Sequence, residues 1–157
     1  MIESNKLEIL EKLIPNKNIP YKQIKIFSNY CSILDYDKNE TIYSHDVKFE
    51  YVGIIIEGEV GYYLKNSINN KKIKLASFKK YPIGMFNFLE LKENGFSIKA
   101  TKKTKIIAIK YSDFKNIEDR IPFFTMKLYK SFIKLNLQIN KRLSNILVTV
   151  ATKNNKA

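Results

Sequence analysis

The stretch 38-KNETIYSHDVKFEYVGIIIEGEVGYYLK-65 decides the fold. Within it, residues 51–56 and 60–64 are two β-branched and aromatic runs, separated by Glu57, Gly58 and Glu59. Such runs fit a pleated surface better than a helix. A glycine between two acids reads as a tight turn or bulge, so the runs are neighbouring strands. Upstream, Cys31, Ile33 and Leu34 lead with a period of two into the polar turn DYDKNE, and ETIYSHD is a short strand. Downstream, NSINNKK reads as a hairpin tip and KIKLASF alternates through Ile73 and Leu75. GFSIKA and TKIIAIK are two more strands, joined by the basic turn TKKT. Residues 31–111 thus carry about eight short strands with closely spaced turns, the pattern of a sandwich or barrel.

Helices flank this region. Leu7, Ile9, Leu10, Leu13 and Ile14 recur at helical spacing until Pro15. A second short helical turn is expected over 21–29, and another over 84–91 inside the strand region. SDFKNIED predicts a helix capped by Ser112 that ends before Pro122. From Pro122 to Val150 there is no Gly or Pro, which predicts one long helix. Its seam, Leu128, Phe132, Leu135, Ile139, Leu143, Ile146 and Val150, follows nearly coiled-coil spacing with one slip. A second apolar line, Met126, Tyr129, Ile133 and Leu137, lies on a neighbouring face. Two faces suggest two jobs, one packing on the barrel and one on a partner, so a homodimer is expected. A single broad core-facing stripe is the simpler alternative. The expected organisation is an N-terminal helical and barrel region over 1–119, the long helix over 120–150 and a basic tail over 151–157.

The 157 residues amount to about one domain. The net charge is +13, yet Arg120 and Arg142 are the only arginines, and arginine does most base-edge and bidentate phosphate recognition. After Asp119 no acid follows, while Arg120, Lys127, Lys130, Lys134, Lys141, Arg142, Lys153 and Lys156 do, which makes an acidic partner for this end a possibility. Cys31 is the sole cysteine and His45 the sole histidine. They give no disulfide framework, no cysteine set for an iron–sulfur cluster and no histidine set for a metal-dependent cupin. A haem would have one isolated axial candidate of each type, and a Ser-His-Asp triad would need that one histidine. No cofactor and no enzymatic activity is therefore expected. Glu57 and Glu59 read as turn stabilisers rather than a catalytic pair. The N-terminus lacks the basic flank and cleavage site of a signal peptide, and no run reaches membrane-spanning length, so a cytoplasmic location with no membrane partner is expected.

The element order and particular residues resemble the cyclic-nucleotide-binding domain, as found in the Crp/Fnr family of bacterial regulators. In that family a Lys-Gly-Glu turn leads to an Ile and an aspartate-ended turn, then an apolar strand, a Gly-Glu-Val turn and another strand. Lys38, Glu40, Ile42, Asp46, the run 54–56 and Gly58, Glu59 and Val60 fall in those places. The resemblance covers roughly residues 5–150. It implies a mainly β jelly-roll barrel with flanking helices, a long helix that makes a dimer, and a role in transcription regulation.

The resemblance also assigns 81-YPIGMFNFLELKENGFSIKAT-101 to the family's phosphate-binding cassette, a Gly-Glu-x-x-Leu helical turn followed by Arg-x-Ala. There the helix N-terminus offers backbone N–H groups to the cyclic phosphate, the Arg adds a charge-assisted contact, and the Glu accepts from the ribose. Gly84 matches the Gly. Met85 stands where the Glu belongs, and Asn94 where the Arg belongs. What remains is a backbone nest from Met85, Phe86 and Asn87, with Gly95, Phe96 and Ser97 on the returning strand. This cassette is expected not to bind cyclic AMP strongly, and another small-molecule ligand, or none, is expected instead. In the family the long helix leads into a DNA-reading helix-turn-helix. No recognition helix can be placed in this sequence, so DNA binding is expected only if a further C-terminal domain exists. A stand-alone sensor or dimerisation module, a truncated regulator and a fragment of a longer regulator all fit the sequence, and a ligand-free structural or interaction module is the alternative reading.

Overall fold

The computed structural model describes residues 2–14, 18–44, 50–65, 71–84 and 96–154. Pro15, His45, Asp46, the hairpin tip and residues 85–95 lie outside these ranges. The chain divides into two compact units, Met1–Ile117 and Glu118–Ala157.

The first unit opens with α1 (Ile2–Leu13) and α2 (Tyr21–Tyr30). α2 buries Ile24, Phe27 and Ser28 on one face, and α1 packs against it. Lys6 Nζ donates to the Cys31 carbonyl at 3.0 Å, which ties α1 to the first strand. Eight described strands follow: β1 (Cys31–Tyr36), β2 (Thr41–Tyr43), β3 (Tyr51–Glu57), β4 (Val60–Lys65), β5 (Lys72–Phe78), β6 (Pro82–Ile83), β7 (Phe96–Ala100) and β8 (Thr104–Lys110). α3 (Tyr111–Glu118) then starts directly at the end of β8.

The strands form two four-stranded antiparallel sheets, ordered β1-β8-β3-β6 and β2-β7-β4-β5. The expected barrel is thus two sheets: among the described residues no ladder joins one sheet to the other. Ile55, Ile83, Ile106 and Ala108 from the first sheet meet Ile42, Val60, Ile98 and Ala100 from the second, so the core lies between them. Fully burying one such isoleucine contributes about 1.5–3 kcal/mol. β8 is one of the two inner strands of its sheet, and its Ile106, Ile107, Ala108 and Ile109 are all buried. Successive side chains point to opposite faces, so both faces of this strand are covered. This explains its continuous apolar run.

Local details depart from the expectations. β1 continues through Asp35 and Tyr36, which the polar-turn assignment had excluded, because these residues pair with Lys105 and Thr104. KIKLASF forms β5 as expected, with Ile73 and Leu75 49% and 59% exposed. β5 is the outer strand of its sheet, and its register with β4 shifts between Tyr62 and Tyr63. Ser112 lies inside α3 rather than capping it, because the helix begins one residue earlier. Tyr111 N donates there to the Glu50 carbonyl at 2.8 Å.

The second unit contains α4 (Pro122–Asn154), which runs past the expected end at Val150. Proline is tolerated at its first position, where the missing N–H has no intrahelical partner. Thr125 Oγ1 donates to the carbonyls of Ile121 and Pro122, and the Tyr129 hydroxyl donates to the Glu118 carboxylate. No helix among the described residues is long and apolar enough to cross a membrane.

Candidate functional site

The site expected at 84–97 begins on one sheet and ends on the other. β6 pairs with β3 through Gly53 opposite Ile83 and Ile54 opposite Pro82. Ile83 is 1% exposed, and Ile55 N donates to the Tyr81 carbonyl at 3.1 Å. Proline suits this two-residue strand because β6 is the outer strand of its sheet, where a missing N–H removes no ladder bond from a further neighbour. Gly84 follows with φ +76, a left-handed conformation that favours glycine. The chain returns in β7, where Phe96 lies opposite Leu64 and Ser97 opposite Tyr63, with Ser97 buried. Gly84 and Ser97 therefore bracket a connection that crosses from the first sheet to the second. Met85, Phe86, Asn87, Asn94 and Gly95 lie outside the described residues, as does the helical turn expected over 84–91 beyond Gly84 itself.

Beside this crossing stands an aromatic group that the sequence reading did not single out. Phe78 and Tyr81 have ring centroids 4.3 Å apart, and Tyr62 meets Phe78 edge-on at 4.9 Å. Tyr62 and Tyr81 are also edge-on, at 6.4 Å. Burial pushes the pKa of both tyrosine hydroxyls up, most strongly at Tyr62, where Tyr81 adds to the effect. Both stay neutral hydrogen-bonding groups at physiological pH. The only sequence signal was aromatic residues at both ends of the short FKKYP segment.

The Gly58, Glu59 and Val60 turn docks on the TKKT turn. Gly58 has φ +86, and a Cβ there would stand 2.3 Å from the Lys103 carbonyl oxygen. Thr104 Oγ1 donates to the Lys102 carbonyl at 2.8 Å and the Glu59 carbonyl at 3.1 Å, and accepts from Glu59 N at 3.3 Å. The Thr101 hydroxyl bond to the Glu59 carboxylate, helped by Lys102 and Lys79, holds that carboxyl below its ordinary range against an opposing contribution from burial. Glu57 Oε2 lies 3.7 Å from Lys105 Nζ. Both acids thus serve the turn, and no group of three metal-ligating side chains occurs among the described residues.

Of the helix seam, Leu128 and Phe132 are half-buried. Leu135, Ile139, Leu143 and Ile146 lie on the described backbone of α4, but their side chains lie outside the description. From the second line, Met126, Ile133 and Leu137 are exposed, whereas Tyr129 is half-buried.

No family model and no curated protein matches the sequence. Solved structures do match. A cyclic nucleotide-binding domain from Methylobacillus flagellatus superposes with a TM-score of 0.78 at 15% identity, over 92% of this chain and 84% of that one. The catabolite activator protein of Thermus thermophilus gives 0.66 at 15% identity, over 85% of this chain and 62% of that one. The regulatory subunit of a cAMP-independent protein kinase A from Trypanosoma brucei gives 0.60 at 14% identity, over 82% of this chain and 49% of that one. A triple mutant of that kinase subunit, with arginine among the introduced residues, is described as bound to cAMP. The chain has the fold of the cyclic-nucleotide-binding domain. The chain spans less than two thirds of the Thermus protein.

Proposed function

We propose that this chain is a regulatory sensor domain of the cyclic-nucleotide-binding type, related to Crp/Fnr transcription regulators, which dimerises through α4 and no longer grips cyclic AMP. The observation that carries this is the connection between β6 and β7, which crosses from one sheet to the other between Gly84 and Ser97. The resemblance assigns the cassette to this connection, with Met85 and Asn94 in place of the acid and the arginine. A hydrogen bond to a charged group contributes about 1.5–3 kcal/mol. Losing the arginine alone therefore weakens phosphate binding about ten- to a hundredfold. The cAMP-independent kinase subunit among the neighbours is a precedent for this fold operating without that ligand. The dimer rests on the Leu128, Phe132, Leu135, Ile139, Leu143 and Ile146 line, whose narrow width suits a helix-to-helix seam.

A ligand-free interaction module is the second reading. The mutual packing of Tyr62, Phe78 and Tyr81 favours it, because aromatic rings occupy apolar space beside the crossing.

Titration calorimetry of the native protein with cyclic AMP and cyclic GMP tests the ligand claim: no micromolar binding is expected, and micromolar binding of either refutes it. Sedimentation of the native protein and an Ile139→Glu variant tests the dimer. A dimer that the variant converts to a folded monomer is expected, and a native monomer contradicts the proposal.

A further inference from the structure

The exposed face of α4 differs in kind from its seam. Met126, Ile133, Leu137 and Val148 are 40%, 60%, 64% and 62% exposed. At 3.6 residues per turn these four positions fall within an arc of about 60°. Exposed Lys130 and Lys141 lie in or at the edge of that arc, and Lys127 and Lys134 run along one border. Lys127 Nζ stands 5.2 Å from the centre of the exposed Phe123 ring. Leu128 and Phe132 point to the other side of the helix. No acid occurs anywhere in α4.

We propose that this face is a docking surface for an acidic amphipathic helix of a partner protein. The same face of a second copy fits badly here, because it would bring the same lysines and no carboxylate to pair with them. Like charges across a helix pair oppose association, and opposite charges beside an apolar line select the partner. A lipid surface calls for a broad apolar face, and this stripe is narrow. A nucleic acid would use the lysines but leave Met126, Ile133, Leu137 and Val148 without a role. The proposal is independent of how the opposite seam is occupied.

The test uses the full chain and a labelled synthetic helix of about four heptads, with leucine at the core positions and glutamate beside them. Its lysine counterpart is the control. Fluorescence anisotropy is expected to show binding of the glutamate peptide alone, weakening with salt. Ile133→Ser/Leu137→Ser and Lys130→Glu/Lys134→Glu variants are each expected to bind about tenfold more weakly or worse. Sedimentation is expected to leave their oligomeric state at that of the native protein. Absence of binding, or equal binding by both peptides or by the variants, overturns the proposal. A change in oligomeric state in the serine variant assigns the face to self-association instead. Binding to phosphatidylserine vesicles that depends on Ile133 and Leu137, without peptide binding, assigns it to a lipid surface.

Discussion

Thr101 Oγ1 donates to both the backbone carbonyl and the carboxylate of Glu59, at 3.1 and 3.0 Å, joining residues separated by 42 positions. Thr101 N adds a 2.8 Å bond to the same carbonyl. The turn between β3 and β4 is thereby fastened to the turn between β7 and β8, so each sheet is tied to the other at one end. A Thr101→Val variant removes the hydroxyl bond to the Glu59 carboxylate, while the Glu59 carbonyl keeps Thr101 N and the Thr104 hydroxyl as donors. It should lower the urea midpoint at an unchanged slope.

The same carboxylate makes stability depend on pH. Its pKa is held below the ordinary 4.5, first by the Thr101 hydroxyl. A depressed carboxyl contributes stability above its unfolded value, and that contribution is lost as pH falls through the folded value. A Glu59→Gln variant should therefore be less stable than the native chain at neutral pH. The gap should close on acidification below about 4.5. A constant gap from neutral pH to acid would show that the charge is not involved.

Gly58→Ala should destabilise the fold by at least about 1–3 kcal/mol. The strain of φ +86 adds to a Cβ that would meet backbone at 2.3 Å from Lys103 and side chain at 2.6 Å from Thr104. Thermal unfolding measures this directly, and a variant that melts with the native protein would mean that the turn relaxes.

Ile55 is fully buried between the sheets, at 0% exposure. Ile55→Ala should cost about 2–5 kcal/mol in chemical unfolding.

Burial raises the Cys31 thiol to about 12, with Lys6 opposing weakly. The thiolate is the reactive form, so Cys31 should resist Ellman's reagent at pH 8 and react only at the rate at which the chain opens. The raised value also means that folding favours the thiol. This contribution is complete below the ordinary thiol value and disappears as pH rises towards 12.

The strands were legible because the two-residue period and the turn residues are local properties. The 51–65 hairpin carries β-branched runs around a glycine turn, TKIIAIK a short continuous apolar run, and the long helix a repeat without Gly or Pro. The aromatic group of Tyr62, Phe78 and Tyr81 was not legible, since it depends on register across β4 and β5 and on the chain's path into β6. Ile73 and Leu75 mark β5 as a strand, and only sheet order shows it to be an outer one with both side chains exposed. Ser112 misled because the cap rule assumes a loop between strand and helix, and here there is none. The cassette rests on the resemblance alone, and the residues that would form it, from Met85 to Gly95, lie outside the described residues.

Titration of cyclic AMP into a Met85→Glu/Asn94→Arg double variant, beside the native protein, tests the central claim most directly. The account predicts binding by the variant and none by the native chain, because the frame between Gly84 and Ser97 would regain both charged contacts. Micromolar binding by the native chain would contradict it, showing that backbone groups alone hold the nucleotide.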